Sequence, residues 1–132
     1  MSNRKIAVVT GGAGFIGSHM VDELRDQGYI VRAFDDLSGG RESNVAHRSD
    51  DPDFSLTVGD ICDLAPDHPV FDGATHVFHF AGIGDIVPSI ERPTDYMRTN
   101  VQGTVQTLEC ARHAGVEKFV YAASSSCYGL AE

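Results

Sequence analysis

Five short apolar runs, each stopped by glycine, serine or an acid, limit what this chain can fold into. Lys5 to Thr10 is too short for a helix and runs straight into glycines, the pattern of a strand buried on both faces. From Phe15 to Gln27 the apolar residues Ile16, Met20, Val21 and Leu24 recur at three- and four-residue spacing. Gly28 follows where a left-handed helix stop belongs, so this segment is a helix. Tyr29 to Phe34 ends at Asp35 and Asp36, and Phe54 to Val58 ends at Gly59 and Asp60; both read as strands. Thr75 to Phe80, β-branched and aromatic, is the fourth strand and stops at Ala81 and Gly82. A long helix from Pro93 to Ala114 follows, with Met97, Val101, Val105 and Leu108 as one apolar stripe and Gly115 as its stop. Lys118 to Ala122 is the fifth strand, ending in Ala123, Ser124, Ser125 and Ser126. Strands separated by crossovers pair in parallel, which predicts an α/β doubly wound sheet of order 3-2-1-4-5. Ser38 to Asp53 shows no clean periodicity and reads as mostly loop.

Composition narrows the function classes. With 42% hydrophobic and 22% charged residues among 132, the chain reads as one domain with a packed core. Its net charge of −9 and scattered arginines offer no basic patch, which excludes a nucleic-acid role. No run approaches the roughly 18 apolar residues of a membrane span, and no signal-peptide pattern precedes the first strand, so a cytoplasmic protein is expected. Asp50, Asp51 and Asp53 around Pro52 read as a solvated loop. Cys62, Cys110 and Cys127 are odd in number and lack Cys-x-x-Cys spacing, so idle thiols are the reading preferred over a disulfide framework or a zinc knuckle. His76 and His79 face opposite sides of one strand and cannot share a metal; no metal site is expected.

Between the first strand and first helix lies Thr10-Gly11-Gly12-Ala13-Gly14-Phe15-Ile16-Gly17. In that context a glycine pattern points to a dinucleotide-binding, Rossmann-type unit. Gly11 is assigned to the tight turn, Gly14 to the approach of a pyrophosphate, and Gly17 to helix packing, with the helix N-terminus facing the anion. Asp35 falls 18 residues after Gly17, close to the spacing of about 20 at which a carboxylate accepts from the adenosine ribose hydroxyls. Asp36 adds a second negative charge, and Arg41 stands too far along to offset both, so NAD is expected over NADP. Without the glycine loop, Asp35 would read as a turn acid or helix cap.

The blocks Thr10 to His19 (TGGAGFIGSH), Asp35 to Ser38 (DDLS), Gly59 to Asp63 (GDICD), Phe78 to Gly82 (FHFAG), Asn100 to Thr104 (NVQGT) and Ser124 to Gly129 (SSSCYG), in this order and spacing, give the chain a family likeness. It resembles the extended short-chain dehydrogenase/reductases that act on nucleotide sugars, and among them the UDP-sugar 4-epimerases. The resemblance covers nearly the whole chain and implies NAD as cofactor. It extends the cofactor-binding set to Phe15 and Ile16 in the glycine loop and to Leu37, Ser38 and Gly40 after the second strand. It further implies Asp60 and Ile61 against adenine, Phe80, Ala81 and Gly82 along the fourth strand's end, and Asn100 from the long helix. Ser124 becomes the catalytic hydroxyl that bonds the reacting sugar hydroxyl, with Ser126 as its helper. On the residues alone, Asp60 reads as a cap of the following turn, Asn100 as a surface residue, and the serines as a loop. Nothing suggests a hydrolase, since no Gly-x-Ser-x-Gly turn is present.

The resemblance also implies a Tyr-x-x-x-Lys pair, whose lysine and cofactor charge lower the tyrosine pKa for proton transfer. Tyr29, Tyr96, Tyr121 and Tyr128 are followed four positions on by Ala33, Asn100, Ser125 and Glu132. In such proteins the pair follows the serine block. The expectation is therefore an N-terminal, cofactor-binding half, truncated before the last strand and the substrate domain, inactive alone, and of marginal stability or self-associating because the fifth strand is an open edge. The whole would act on a nucleotide sugar, a UDP-sugar, and pair through the long helix as a homodimer; the same helix stripe is equally explained by packing on the sheet. Dehydratases of the family carry Asp-Glu where this chain has Ser125 and Ser126, which favours an epimerase. The alternatives are a dehydratase or reductase of the same family, or a non-catalytic NAD-binding module.

Overall fold

The computed structural model describes residues 3–130. Five parallel strands form one sheet in the order β3-β2-β1-β4-β5, as the alternation predicts. They are β1 (Ile6–Thr10), β2 (Ile30–Asp35), β3 (Phe54–Val58), β4 (His76–His79) and β5 (Lys118–Tyr121). The central strand β1 is buried from Ala7 to Thr10. Its side chains alternate between two cores, as the two-residue period of a strand requires. Ala7 and Val9 pack with Val31, Ala33, Val21 and Leu24, the last two from α1 (Phe15–Asp26). Val8 packs on the other face with Val77, Phe34, Phe71, Cys110 and Ala111.

Helix α1 ends as its sequence dictates, with Gly28 at φ 88° just past the cap. Beyond β4 lies a short helix that periodicity did not announce, α2 (Ile86–Glu91). The helix expected from Pro93 to Ala114 is present over that span, with a change of winding inside it. α3 (Pro93–Tyr96) passes into a π-wound turn, Met97–Gln102, and then into α4 (Gly103–Ala114), closed by Gly115 at φ 72°. The face α4 turns to the sheet is made of small residues, with Gly103, Thr107, Cys110 and Ala111 buried. A Cβ on Gly103 would lie 2.5 Å from Ile61 Cδ1, so the close approach of α4 requires glycine there. The sheet-packing account of the Met97, Val101, Val105 and Leu108 stripe is therefore corrected: these four residues are 44–60% exposed. The 3.6-residue period located a stripe but could not say that the small residues beside it, and not the large ones, meet the sheet.

The segment between β2 and β3 is irregular, as expected, with two single turns of 3-10 helix at Glu42–Asn44 and Ala46–Arg48. Ion pairs hold it to α1: Arg25 binds Asp51 at 2.8 Å, and Arg48 binds Asp22 at 2.7 Å. The acids that read as a solvated loop thus include a fastener. Among the described residues no helix is long and apolar enough to cross a membrane, and no group of three or more metal-ligating side chains is assembled.

Candidate functional site

In an open sheet of this order the strands diverge at the β1/β4 boundary, and ligands bind beyond the strand ends there. The glycine loop occupies that position. Gly11 has φ 67°, and a Cβ on it would sit 2.8 Å from the backbone of Phe80 and Ala81. A Cβ on Gly17 would sit 2.0 Å from Gly11 O, so α1 can start this close to the turn only with glycine at 17. Gly12, to which the sequence reading gave no role, is equally constrained: its Cβ would meet that of Ala33 at 2.6 Å. Helix α1 is preceded by Gly14, which offers no capping side chain, and has no acid in its first turn. Its opening amides are left to an outside acceptor, the arrangement that suits a diphosphate.

The loop after β2 is braced onto the glycine loop through Asp35, which is 7% exposed. Asp35 Oδ2 accepts from Ala13 N–H at 2.9 Å, and Oδ1 accepts from Leu37 N–H at 2.8 Å. Each carboxylate oxygen accepts about two hydrogen bonds, so both retain a lone pair for a ribose hydroxyl. Asp36 Oδ1 accepts from Ser38 N–H at 2.9 Å and from Ser38 Oγ–H at 2.6 Å. Ala13 O closes the joint by accepting from Arg41 N–H at 3.0 Å and from the Asn44 side-chain amide at 2.8 Å. A Cβ on Gly40 would lie 2.8 Å from the Ala13 carbonyl carbon and 2.9 Å from Asp35 Oδ2.

These residues line a cleft of about 250 Å³. Gly11 and Gly14 lie along it with Asp35, Asp36, Ser38 and Gly40, facing Asp60, Ile61, Phe80, Ala81 and Gly82. Phe34, Gly39, Gly59, Ile83 and Thr99 complete it and were missed from sequence, where loop glycines, two apolar side chains and a helical threonine carry no ligand signal. Asp60 caps the turn that follows it, Ile61–Asp63, and also borders the cleft. Its Oδ1 accepts from Cys62 N–H at 2.8 Å. Burial raises the Asp60 pKa, but the Arg98 guanidinium at 2.8 Å and the Cys62 amide outweigh it and hold the carboxyl below its usual range.

Phe80 to Ile83 also form one wall of a second, adjoining hollow of about 430 Å³, with His79, Asn100, Thr104, Tyr121 and Ser124 around it. Ser124 stands at the far end, just past β5, and its Oγ accepts from Ser126 N–H at 3.1 Å. The Ser126 side chain is exposed and lines neither hollow. Asn100 is no idle surface residue. Its Oδ1 accepts from Ile83 N–H at 2.8 Å and its Nδ2–H donates to Ile83 O at 2.9 Å, fixing the wall's last residue in both directions. The side chains of Phe15 and Ile16 are 78% and 60% exposed outside the cleft. Gly17 lies buried beneath it, and Leu37, at φ 63°, shapes the loop without lining the cleft.

The sequence profile of the NAD dependent epimerase/dehydratase family matches residues 7–132. The chain belongs to that family. NAD is the family's cofactor. UDP-glucose 4-epimerase of Bos taurus is 36% identical over 132 residues, covering 92% of this chain and 38% of that protein. A crystal structure of UDP-glucose-4-epimerase from Stenotrophomonas maltophila, with bound NAD and formylated UDP-arabinopyranose, superposes with a TM-score of 0.86 at 31% identity, over 96% of this chain and 39% of that one. A dTDP-glucose 4,6-dehydratase from Streptomyces venezuelae, with NAD and TYD bound, gives a TM-score of 0.81 at 36% identity, over 88% of this chain and 38% of that one. The chain thus spans about two fifths of the length of these family members.

Proposed function

We propose that this chain binds NAD and serves as the cofactor half of a nucleotide-sugar 4-epimerase of the UDP-glucose type. The observation that carries the reading is the continuity of the two hollows, which run along one wall, Phe80 to Ile83, from the uncapped helix start to Ser124. The glycine loop fits a dinucleotide, because a Cβ at Gly11 or Gly17 would meet backbone at 2.8 or 2.0 Å and force apart the turn and helix start that border the cleft. NAD held there would supply a reversible hydride acceptor for the sugar carbon, regenerated within each turnover. The first-turn amides of α1, including those of Phe15 and Ile16, face the diphosphate. Asp35 holds the adenosine ribose and Ile61 the adenine side. Ser124 hydrogen-bonds the reacting oxygen and orients it for a tyrosine base supplied with the substrate-binding part.

Ser125 and Ser126 favour an epimerase over a dehydratase. Eliminating water needs an acid and a base of its own beside the catalytic hydroxyl, and two serines supply neither at neutral pH. The exposed stripe of Met97, Val101, Val105 and Leu108 is the face offered to a second copy.

Calorimetric titration of the 132-residue chain tests the cofactor reading. Saturable binding of NAD⁺, with NADP⁺ at least about tenfold weaker, is expected. Absence of NAD⁺ binding to folded protein overturns it. In a protein carrying the tyrosine and lysine, UDP-galactose should convert to UDP-glucose without net NADH. Ser124→Ala should lower kcat by on the order of 10²-fold; an unchanged kcat removes Ser124 from the chemistry.

A further inference from the structure

His79 ends β4 with 1% of its surface exposed. Its Nδ1 lies 2.6 Å from Thr10 Oγ1, and its Nε2 lies 2.9 Å from Thr104 Oγ1. Counting protons assigns every direction in this chain of bonds. Thr104 Oγ1–H donates to Asn100 O at 2.6 Å, which uses its single proton. Toward His79 it can therefore only accept, so Nε2 carries the ring hydrogen. A neutral imidazole has one N–H, so Nδ1 accepts from the Thr10 hydroxyl. Thr10 Oγ1 in turn accepts from Ala81 N–H at 3.2 Å and from Phe80 N–H at 3.1 Å, a hydrogen it shares with Thr10 O, also at 3.1 Å. All the hydrogens point one way, from the wall's first amides through Thr10, His79 and Thr104 to the Asn100 carbonyl. The Asn100 side chain then holds the wall's other end at Ile83.

We propose that His79 is a positioning residue: a neutral Nε2–H ring that, through Thr10 and Thr104, holds the Phe80–Ile83 wall in register with the glycine loop. A cationic ring would aim a second N–H at Thr10 Oγ1, displacing the hydroxyl hydrogen from its acceptor. Burial opposes that charge as well, and pushes the His79 pKa down to about 4. The wall is common to both hollows, but only the second has His79 and Thr104 in its lining. Releasing the wall therefore loosens the nicotinamide end more than the adenosine end. This assignment of ends rests on the cofactor reading above; the hydrogen-bond directions do not.

Nitrogen NMR of the labelled, ligand-free chain at pH 7 should show His79 protonated at Nε2 and bare at Nδ1. Protonation at Nδ1, or at both nitrogens, overturns the proposal. In His79→Phe, amide exchange at Ala81 and Ile83 should quicken by about tenfold or more. NAD⁺ binding should weaken about tenfold, with ADP binding held within about threefold. Unchanged exchange, or equal losses for the two ligands, overturns the proposal. Thr104→Val, which strands the Nε2–H without an acceptor, should reproduce the split, and Thr104→Ser should restore it. This pair decides the matter should His79→Phe fail to fold. A wild-type chain with the predicted tautomer that binds neither NAD⁺ nor ADP would sink the cofactor reading and leave the exchange result to judge the wall.

Discussion

Single atoms decide most of what this site tolerates. Gly17→Ala places a methyl group 2.0 Å from Gly11 O, and neither helix start nor turn has room to yield. Overpacking of this kind costs about 1–3 kcal/mol or more, so denaturant titration should show a loss of at least that size, with NAD⁺ binding reduced beyond what the unfolded fraction explains. Retained stability would mean that the turn can move. His79 predicts a pH dependence. Its pKa is about 4 when folded against 6.5 ordinarily, so the unfolded chain binds the proton more readily between those values. Stability should therefore rise with pH from about 4 to 6.5, is fully present above that, and amounts to about 3 kcal/mol at most. The ring nitrogens face the Thr10 and Thr104 hydroxyls, and the Phe119 and Tyr121 rings pack beside it. Unfolding curves across this range for wild type and His79→Phe check it: the slope should shrink in the variant, and an equal slope refutes the assignment.

Among the elements, the strands and the span of the long helix, from Pro93 to its stop at Gly115, were legible from sequence, and the winding inside that helix was not. Short apolar runs stopped by glycine or acid define parallel strands because both faces are covered, and β3 falls where expected, at Phe54–Val58. The glycine loop was legible too, because a strand-to-helix turn this tight needs glycine at 11 and 17. Gly12 was missed because its constraint comes from Ala33, on a neighbouring strand. The π-wound turn at Met97–Gln102 escaped because an extra residue in a helical turn leaves no mark on composition. Thr99 and Asn100, which border the two hollows, both lie in that turn. Asn100→Leu removes both bonds to Ile83 and should weaken NAD⁺ binding by about tenfold; calorimetry showing less than a twofold change would deny Asn100 its part in the wall. The apolar stripe makes a separate prediction. A Val101→Glu, Val105→Glu double variant should keep its fold and sediment as monomer where the wild type sediments as dimer. A wild-type monomer refutes the pairing.

At the scale of the molecule, the sheet ends at β5, which pairs on one side with β4 and leaves Tyr121 56% exposed. An unpaired strand edge beside exposed apolar surface favours association. A broad thermal transition that persists in the monomeric double variant is expected; a sharp transition there would show the edge to be inert. Several of the acids are structural: Asp22, Asp51 and Asp60 each meet an arginine, and Asp35 meets backbone amides. This last pairing bears on how coenzyme choice could ever change. Exchanging Asp35 for a residue that welcomes a 2′-phosphate would also unhitch Ala13 and Leu37, so the turn proposed to hold the diphosphate would loosen in the same stroke. A lineage or an engineer seeking the phosphorylated coenzyme has to rebuild two loops together, since a lone replacement there dismantles the handle along with the lock.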